Sequence, residues 1–184
     1  MALDQLAKIE HINVTFLRSA EFHGKAGVEE LASQTISLLN SKSVEPSIYS
    51  SQIAFNLLPA AVEPNIENDI RQFLGNNSCS IAMQSVNVPV FHGLVMAVQL
   101  RFASAVNLDD SGRQLAGLDK LTVSKATGGP ISDSNQSFSC TVSQLEQVPD
   151  QPSNLQFWMI TDPLRYGLAN NYVNVTDFLL KSFL

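Results

Sequence analysis

Ile12, Val14 and Phe16 alternate with more polar neighbours, so residues 11–18 read as a strand with one apolar face. Just upstream, Leu3, Leu6 and Ile9 repeat at helical spacing and predict a short helix. Val28, Leu31, Ala32, Thr35, Leu38 and Leu39 form an apolar stripe. That stripe predicts a helix of about four turns, ending near Asn40. Residues 41–51 are polar and Ser-rich and read as a surface loop, and 52–58 read as a strand. Ile66, Ile70, Phe73 and Leu74 define a second helix, with Gly75 placed to close it.

The pattern then turns β-rich. Residues 78–86 and 94–103 are two long strand candidates flanking Pro89–Gly93. Asp109 is placed to cap a short helix running through Leu115. Residues 121–125 and 137–148 read as strands, with Gly128, Gly129 and Pro130 breaking the chain between them. Residues 155–161 form an apolar strand, and 167–182 a last helix. Strands outnumber helices and the later ones are consecutive. The expected fold class is therefore α+β, with a mixed sheet of about six or more strands and helices on one face.

Composition narrows the function classes. The 184 residues are enough for one domain with a sizeable core. Charged residues make up only 15%, which fits a protein that hides part of its surface in an interface. A net charge of −6 argues against a nucleic-acid partner, which needs a clustered basic face. No apolar run reaches the roughly 18 residues of a membrane span, and no signal peptide is visible. The expected location is cytoplasmic, with no membrane partner. Cys79 and Cys140 stand far apart in strand-like runs and read as small buried side chains in a reducing compartment. His11, His23 and His92 show no ligand spacing, so no metal is expected.

The segment Asn87-Val-Pro-Val-Phe-His-Gly-Leu94 carries the strongest chemical signal. It resembles the Arg-x-Pro-Val-x-x-Gly-His signature of aspartate-semialdehyde dehydrogenases. Val88, Pro89, Val90 and Gly93 match that signature, while its Arg falls on Asn87 and its His on Leu94. Three further segments agree in order: Ala26-Gly-Val-Glu-Glu-Leu31, Gln52-Ile-Ala-Phe-Asn-Leu-Leu-Pro59, and the run from Leu155 to Gly167 followed by Asn171. The altered positions resemble the Usg-type branch of homologues. The resemblance covers the family's C-terminal half. It implies one dimerisation domain over 1–184, without the N-terminal Rossmann domain, taken from a longer protein. No Gly-x-Gly-x-x-Gly follows an opening strand, and phosphate-loop chemistry requires one.

The resemblance implies a substrate carboxylate held by the family Arg and an acid–base His. Leu94 cannot move a proton, and Asn87 lacks the fixed charge and bidentate fork of Arg. The family's phosphate-binding Lys falls near Asn65, and Glu63 matches a nearby family acid. Asn171 matches a position facing the nicotinamide, although a polar residue in a helix's first turns is the plainer reading. His92 reads as a turn residue rather than a replacement base. Glu21 and Phe22 intrude on a loop that is small-residued in the family. The expected function is a dimer-forming domain that has lost catalysis, with Asn87, Leu94, Asn65 and Glu63 as vestigial positions. The expected partner is a second copy. No cofactor is expected in this chain, though NADP is possible for a full-length parent. Two alternatives stay open: an active NADP-dependent dehydrogenase of amino-acid biosynthesis, and a small-molecule binding module reusing the pocket.

Overall fold

The alternation at the start of the chain becomes β1 (Ile9–Arg18), an interior strand of a mixed sheet. The computed structural model describes residues 2–75, 78–125 and 140–164. Around β1 stand β2 (Leu58–Ala60), β3 (Ser80–Asn87), β4 (Leu94–Phe102), β5 (Leu121–Ser124), β6 (Cys140–Gln147) and β7 (Asn154–Thr161). Their order across the sheet is β2-β3-β1-β4-β7-β6-β5. β1 runs parallel to β3 and antiparallel to β4, and β5 runs parallel to β6. The mixed α+β architecture expected from the pattern is what the chain adopts.

Period-two alternation sorts each strand into two faces. Ile12 and Val14 of β1, Val98 and Leu100 of β4, and Leu155 and Phe157 of β7 share one face and form the main core. Two helices pack on this core: α2 (Ile66–Leu74) through Ile70 and Leu74, and α3 (Leu108–Ala116) through Leu115. Gly75 closes α2 with φ +60°, the left-handed conformation its position predicted.

A second cluster sits beyond the end of β1. α1 (Gly24–Leu39) brings Leu31 against Ala20, Tyr49, Ile53, Ala54 and Leu58. Its entry is tight. A Cβ on Gly27 would fall 2.5 Å from His23 Cβ and 2.6 Å from the Ala20 carbonyl oxygen.

Three expectations are corrected. The helical spacing of Leu3, Leu6 and Ile9 yields only a 3-10 turn at Leu3–Gln5, because Asp4 Oδ1 accepts a 2.8 Å bond from the Ile9 N–H and starts the strand there. Residues 52–58 do not form a strand; pairing begins only at Leu58. The buried side-chain oxygen of Gln34 accepts the backbone N–H of Ile53 at 2.8 Å and of Ala54 at 3.2 Å. A side chain thus satisfies donors that a ladder would otherwise claim, and Phe55 at φ +59° ends any extension. At α3 the cap is Asn107, whose Oδ1 accepts from the N–H groups of Asp109 and Asp110, so Asp109 belongs to the first turn. The helix expected over 167–182 lies outside the described residues.

Candidate site at the open end of the sheet

The strand register aligns five residues across the sheet. Leu58 pairs with Asn87, Asn87 with Arg18, Arg18 with Leu94, and Leu94 with Thr161. With strands about 4.8 Å apart, the row spans roughly 20 Å. Each member is an even number of residues from core positions on its strand, so the row continues the core face past its packed centre. Asn87 and Leu94, far apart in sequence terms from Arg18, thus flank it on either side.

The chain crosses from β3 to β4 through residues 88–93, and the end of β1 holds that crossing in place. Val88 N–H donates to the Arg18 carbonyl at 2.9 Å, Ala20 N–H to Val90 at 2.8 Å and Glu21 N–H to Phe91 at 3.1 Å. The Glu21 carboxylate is buried and accepts the Gly93 N–H at 2.6 Å. Gly93 adopts φ +95°, which a side chain would resist. Glu21 is therefore a brace for the turn, and the sequence reading that it intrudes on a loop is refined accordingly. His92 Nδ1 lies 3.2 Å from Glu21 Oε2, and the His92 side chain is 59% exposed. The Gly93 kink interrupts the alternation between His92 and Leu94, so His92 does not join the row.

Arg18 is the residue that sequence reasoning missed. Its guanidinium donates from Nη1 to the Ala61 carbonyl at 3.2 Å and lies 5.0 Å from the centre of the Phe22 ring. The signal was available: Arg18 follows Ile12, Val14 and Phe16 at even spacing, which assigns it to the core face. The row that has Asn at position 87 thus carries a guanidinium on the adjacent strand. Four buried side-chain atoms here have no hydrogen-bond partner among the described residues: Arg18 Nε, Ser85 Oγ, Asn87 Oδ1 and Thr161 Oγ1. Nearby, burial raises the Tyr49 hydroxyl above its ordinary value, with the Glu30 charge adding to it and Arg18 opposing it. The His23 ring meets Tyr49 edge-on at 4.7 Å.

The other expected positions are not drawn into the row. Asn65 is exposed at the start of α2 and makes no side-chain capping bond, and Glu63 is exposed just before it. Asn171 lies outside the described residues. Cys79 and Cys140 are buried and free. Burial raises both thiols, Cys140 to about 11, so neither is a thiolate at neutral pH. Among the described residues no three His, Cys, Asp or Glu side chains group as metal ligands. No helix among them is long and apolar enough to cross a membrane.

Known proteins align with this geometry. The family profile described as "semialdehyde dehydrogenase, dimerisation domain" matches residues 2–166. Aspartate-semialdehyde dehydrogenase 2 of Vibrio cholerae is 27% identical over 95% of this chain and 56% of its own length. A USG-1 protein homolog of Pseudomonas aeruginosa is 29% identical over 94% of this chain and 55% of its own. The chain thus spans little more than half the length of these relatives. The crystal structure of V. cholerae aspartate semialdehyde dehydrogenase II complexed with ASA superposes over the whole chain with a TM-score of 0.90 at 26% identity, covering 58% of that protein. A probable aspartate-semialdehyde dehydrogenase from P. aeruginosa gives 0.91 at 28% identity, again over the whole chain and 58% of that protein.

Proposed function

The chain belongs to the semialdehyde dehydrogenase family as a dimerisation domain, and we propose that it forms the dimer of an aspartate-semialdehyde-dehydrogenase-like protein that no longer catalyses. One observation carries this reading. The row Leu58–Asn87–Arg18–Leu94–Thr161 contains no group that exchanges a proton near neutral pH. Leu94 is apolar, the amide and hydroxyl are too weakly acidic and basic, and Arg stays charged. The nearest imidazole in sequence, His92, is turned to Glu21. Semialdehyde chemistry needs a positioned acid–base group within hydrogen-bond reach of the reacting atoms.

In this reading residues 1–184 are one domain and hold no cofactor of their own. NADP would be met only by other parts of a full-length protein, in the cytoplasm. Asn87, Leu94, Asn65 and Glu63 are remnants of the ancestral site. The partner is a second copy, docked on the sheet face opposite the core. There Asn13, Thr15, Ala97, Gln99, Gln156 and Trp158 line a depression of about 220 Å³, to which no described helix contributes. The deciding assay is NADP-dependent turnover of aspartate semialdehyde by the natural full-length protein. No rate above background is expected. Turnover at ordinary enzymatic rates, about 1 s⁻¹ or more, overturns the loss of catalysis and leaves an active dehydrogenase. A binding role for the same row is favoured by its unpartnered polar atoms.

A further inference from the structure

The sheet face away from the core carries polar side chains in register across four strands. Asn13 of β1 pairs with Ala82 of β3 on one side and with Gln99 of β4 on the other. Gln99 pairs with Gln156 of β7, and Gln156 with Glu146 of β6. Alternation sets this row opposite the core residues Ile12, Val14, Val98 and Leu155. Gln99 and Glu146 are exposed, Asn13 and Gln156 are half-buried, and all four line the depression of about 220 Å³.

Within the row, Asn13 Nδ2 donates to Gln99 Oε1 at 3.5 Å and Gln156 Nε2 donates to Glu146 Oε2 at 3.4 Å. Both bonds are long for N–H···O geometry, so they orient the carboxamides without using up what they can offer. A carboxamide has two N–H donors and an oxygen with two acceptor sites. Among the described residues, the Gln99 amide nitrogen and the Gln156 amide oxygen meet no partner.

These groups decide what can cover the face. An apolar partner would strip water from the carboxamides and return no hydrogen bonds, which is costly. A charged partner finds little to pair with. Glu146 is the single ionised side chain of the row, and Arg101, two residues beyond Gln99, already lies 3.8 Å from Glu10. An identical row supplies donors and acceptors together. A twofold contact sets the same patch against itself, so each carboxamide can both give and receive. Glu146 accepts only and stands at one end, which gives the row a direction.

We propose that the carboxamides of Asn13, Gln99 and Gln156 are the self-recognition element of the dimer, selecting a second copy and its register through amide-to-amide hydrogen bonds. This rests on the second copy docking on this face and adds what makes that contact selective.

The test mixes isotope-labelled wild type with an equal amount of unlabelled protein carrying Gln99→Leu and Gln156→Leu, and reads the exchanged dimers by native mass spectrometry. Leu packs on Leu, so the variant should still pair with itself. Mixed dimers should fall about fivefold or more below the half share of random pairing, because each leaves amides unpartnered. Gln114→Leu, exposed on α3, should mix with wild type at random. The wild-type dimer should keep its affinity in about 1 M sodium chloride, where ion pairs are screened. Gln99→Glu keeps the acceptor for Asn13 but removes the donors offered to the second copy. In the same salt, which screens repulsion between the new carboxylates, it should weaken dimerisation by about tenfold or more. Random mixing of the Leu variant overturns the amide row, as does an undiminished Gln99→Glu dimer or a wild-type dimer that salt dissociates. Docking on this face survives those results wherever Trp158→Arg still gives a monomer. A wild-type monomer overturns the docking and the amide row together. Should the Leu variant not fold, the Gln99→Glu affinity decides.

Discussion

At the scale of single residues, the informative side chains are polar ones that do backbone work at a distance. Glu30 on α1 accepts from the Ser47 hydroxyl at 2.7 Å and from the N–H of Ile48 at 2.6 Å, tying the 41–51 loop to the helix. Burial works to raise its pKa, but the Ser47 hydroxyl and the backbone donors of Ile48, Ser47 and Tyr49 outweigh it, and the result lies below the ordinary 4.5. The unfolded chain takes up that proton at the ordinary value. The stabilisation is therefore fully present above about pH 5 and is lost as pH falls through the lowered folded value. Glu30→Gln should lower the melting temperature at pH 7 and flatten its decline on acidification, read by thermal scans from pH 7 to pH 3. An acid slope equal to that of the wild type would disprove it. None of this was legible in the sequence, where residues 41–51 show only polarity. Asn87 and Leu94 were legible because they interrupt a recognisable string. For Arg18 the even spacing gave the face but not the neighbours, because those depend on which strands lie next to it.

Elements were legible where one periodicity dominates. β1, β3, β4, β7 and both apolar-striped helices follow from alternation or from a 3.6-residue stripe, and their limits lie close to those expected. The segment 52–58 failed because burial without pairing looks the same as a buried strand: Ile53 and Ala54 are fully enclosed, but Gln34 takes their N–H groups. At α3 two neighbouring residue types compete for the cap, and only geometry decides between them. Asn107→Ala should cost about 1 kcal/mol in urea unfolding. Asp109→Ala should cost a few tenths, because its carboxylate meets only the helix dipole. A larger loss for Asp109→Ala than for Asn107→Ala would reverse the assignment.

On the scale of the whole molecule, the sheet has a helix-backed face and a face to which no described helix contributes in its central depression. The low charged fraction hinted at such a surface in the sequence, but not at its location. Trp158 lines that depression and is 37% exposed. A twofold contact there sets each residue against the same patch of the second copy. Trp158→Arg should therefore introduce two like charges at the interface and convert the dimer to a folded monomer. Sedimentation at micromolar concentration, with circular dichroism as the folding control, reads the change. A wild-type monomer, or a Trp158→Arg dimer of unaltered affinity, would rule out this face.

The interior position of β1 also constrains the order of events when the chain is made. Its first ten-residue strand is bonded on one side to Ser80–Asn87 and on the other to Leu94–Phe102, so both of its edges wait for segments synthesised much later. Such high contact order places refolding in the millisecond-to-second range rather than the microseconds of helical domains. Until β4 is available, at least one edge of this apolar strand is open to neighbouring chains. Stopped-flow refolding should show this slow phase, and nascent chains halted before Leu94 should aggregate where complete ones do not. Refolding within microseconds would contradict it. The strand that aligns Arg18 between Asn87 and Leu94 thus stays open on one edge for more than seventy residues of synthesis after it emerges.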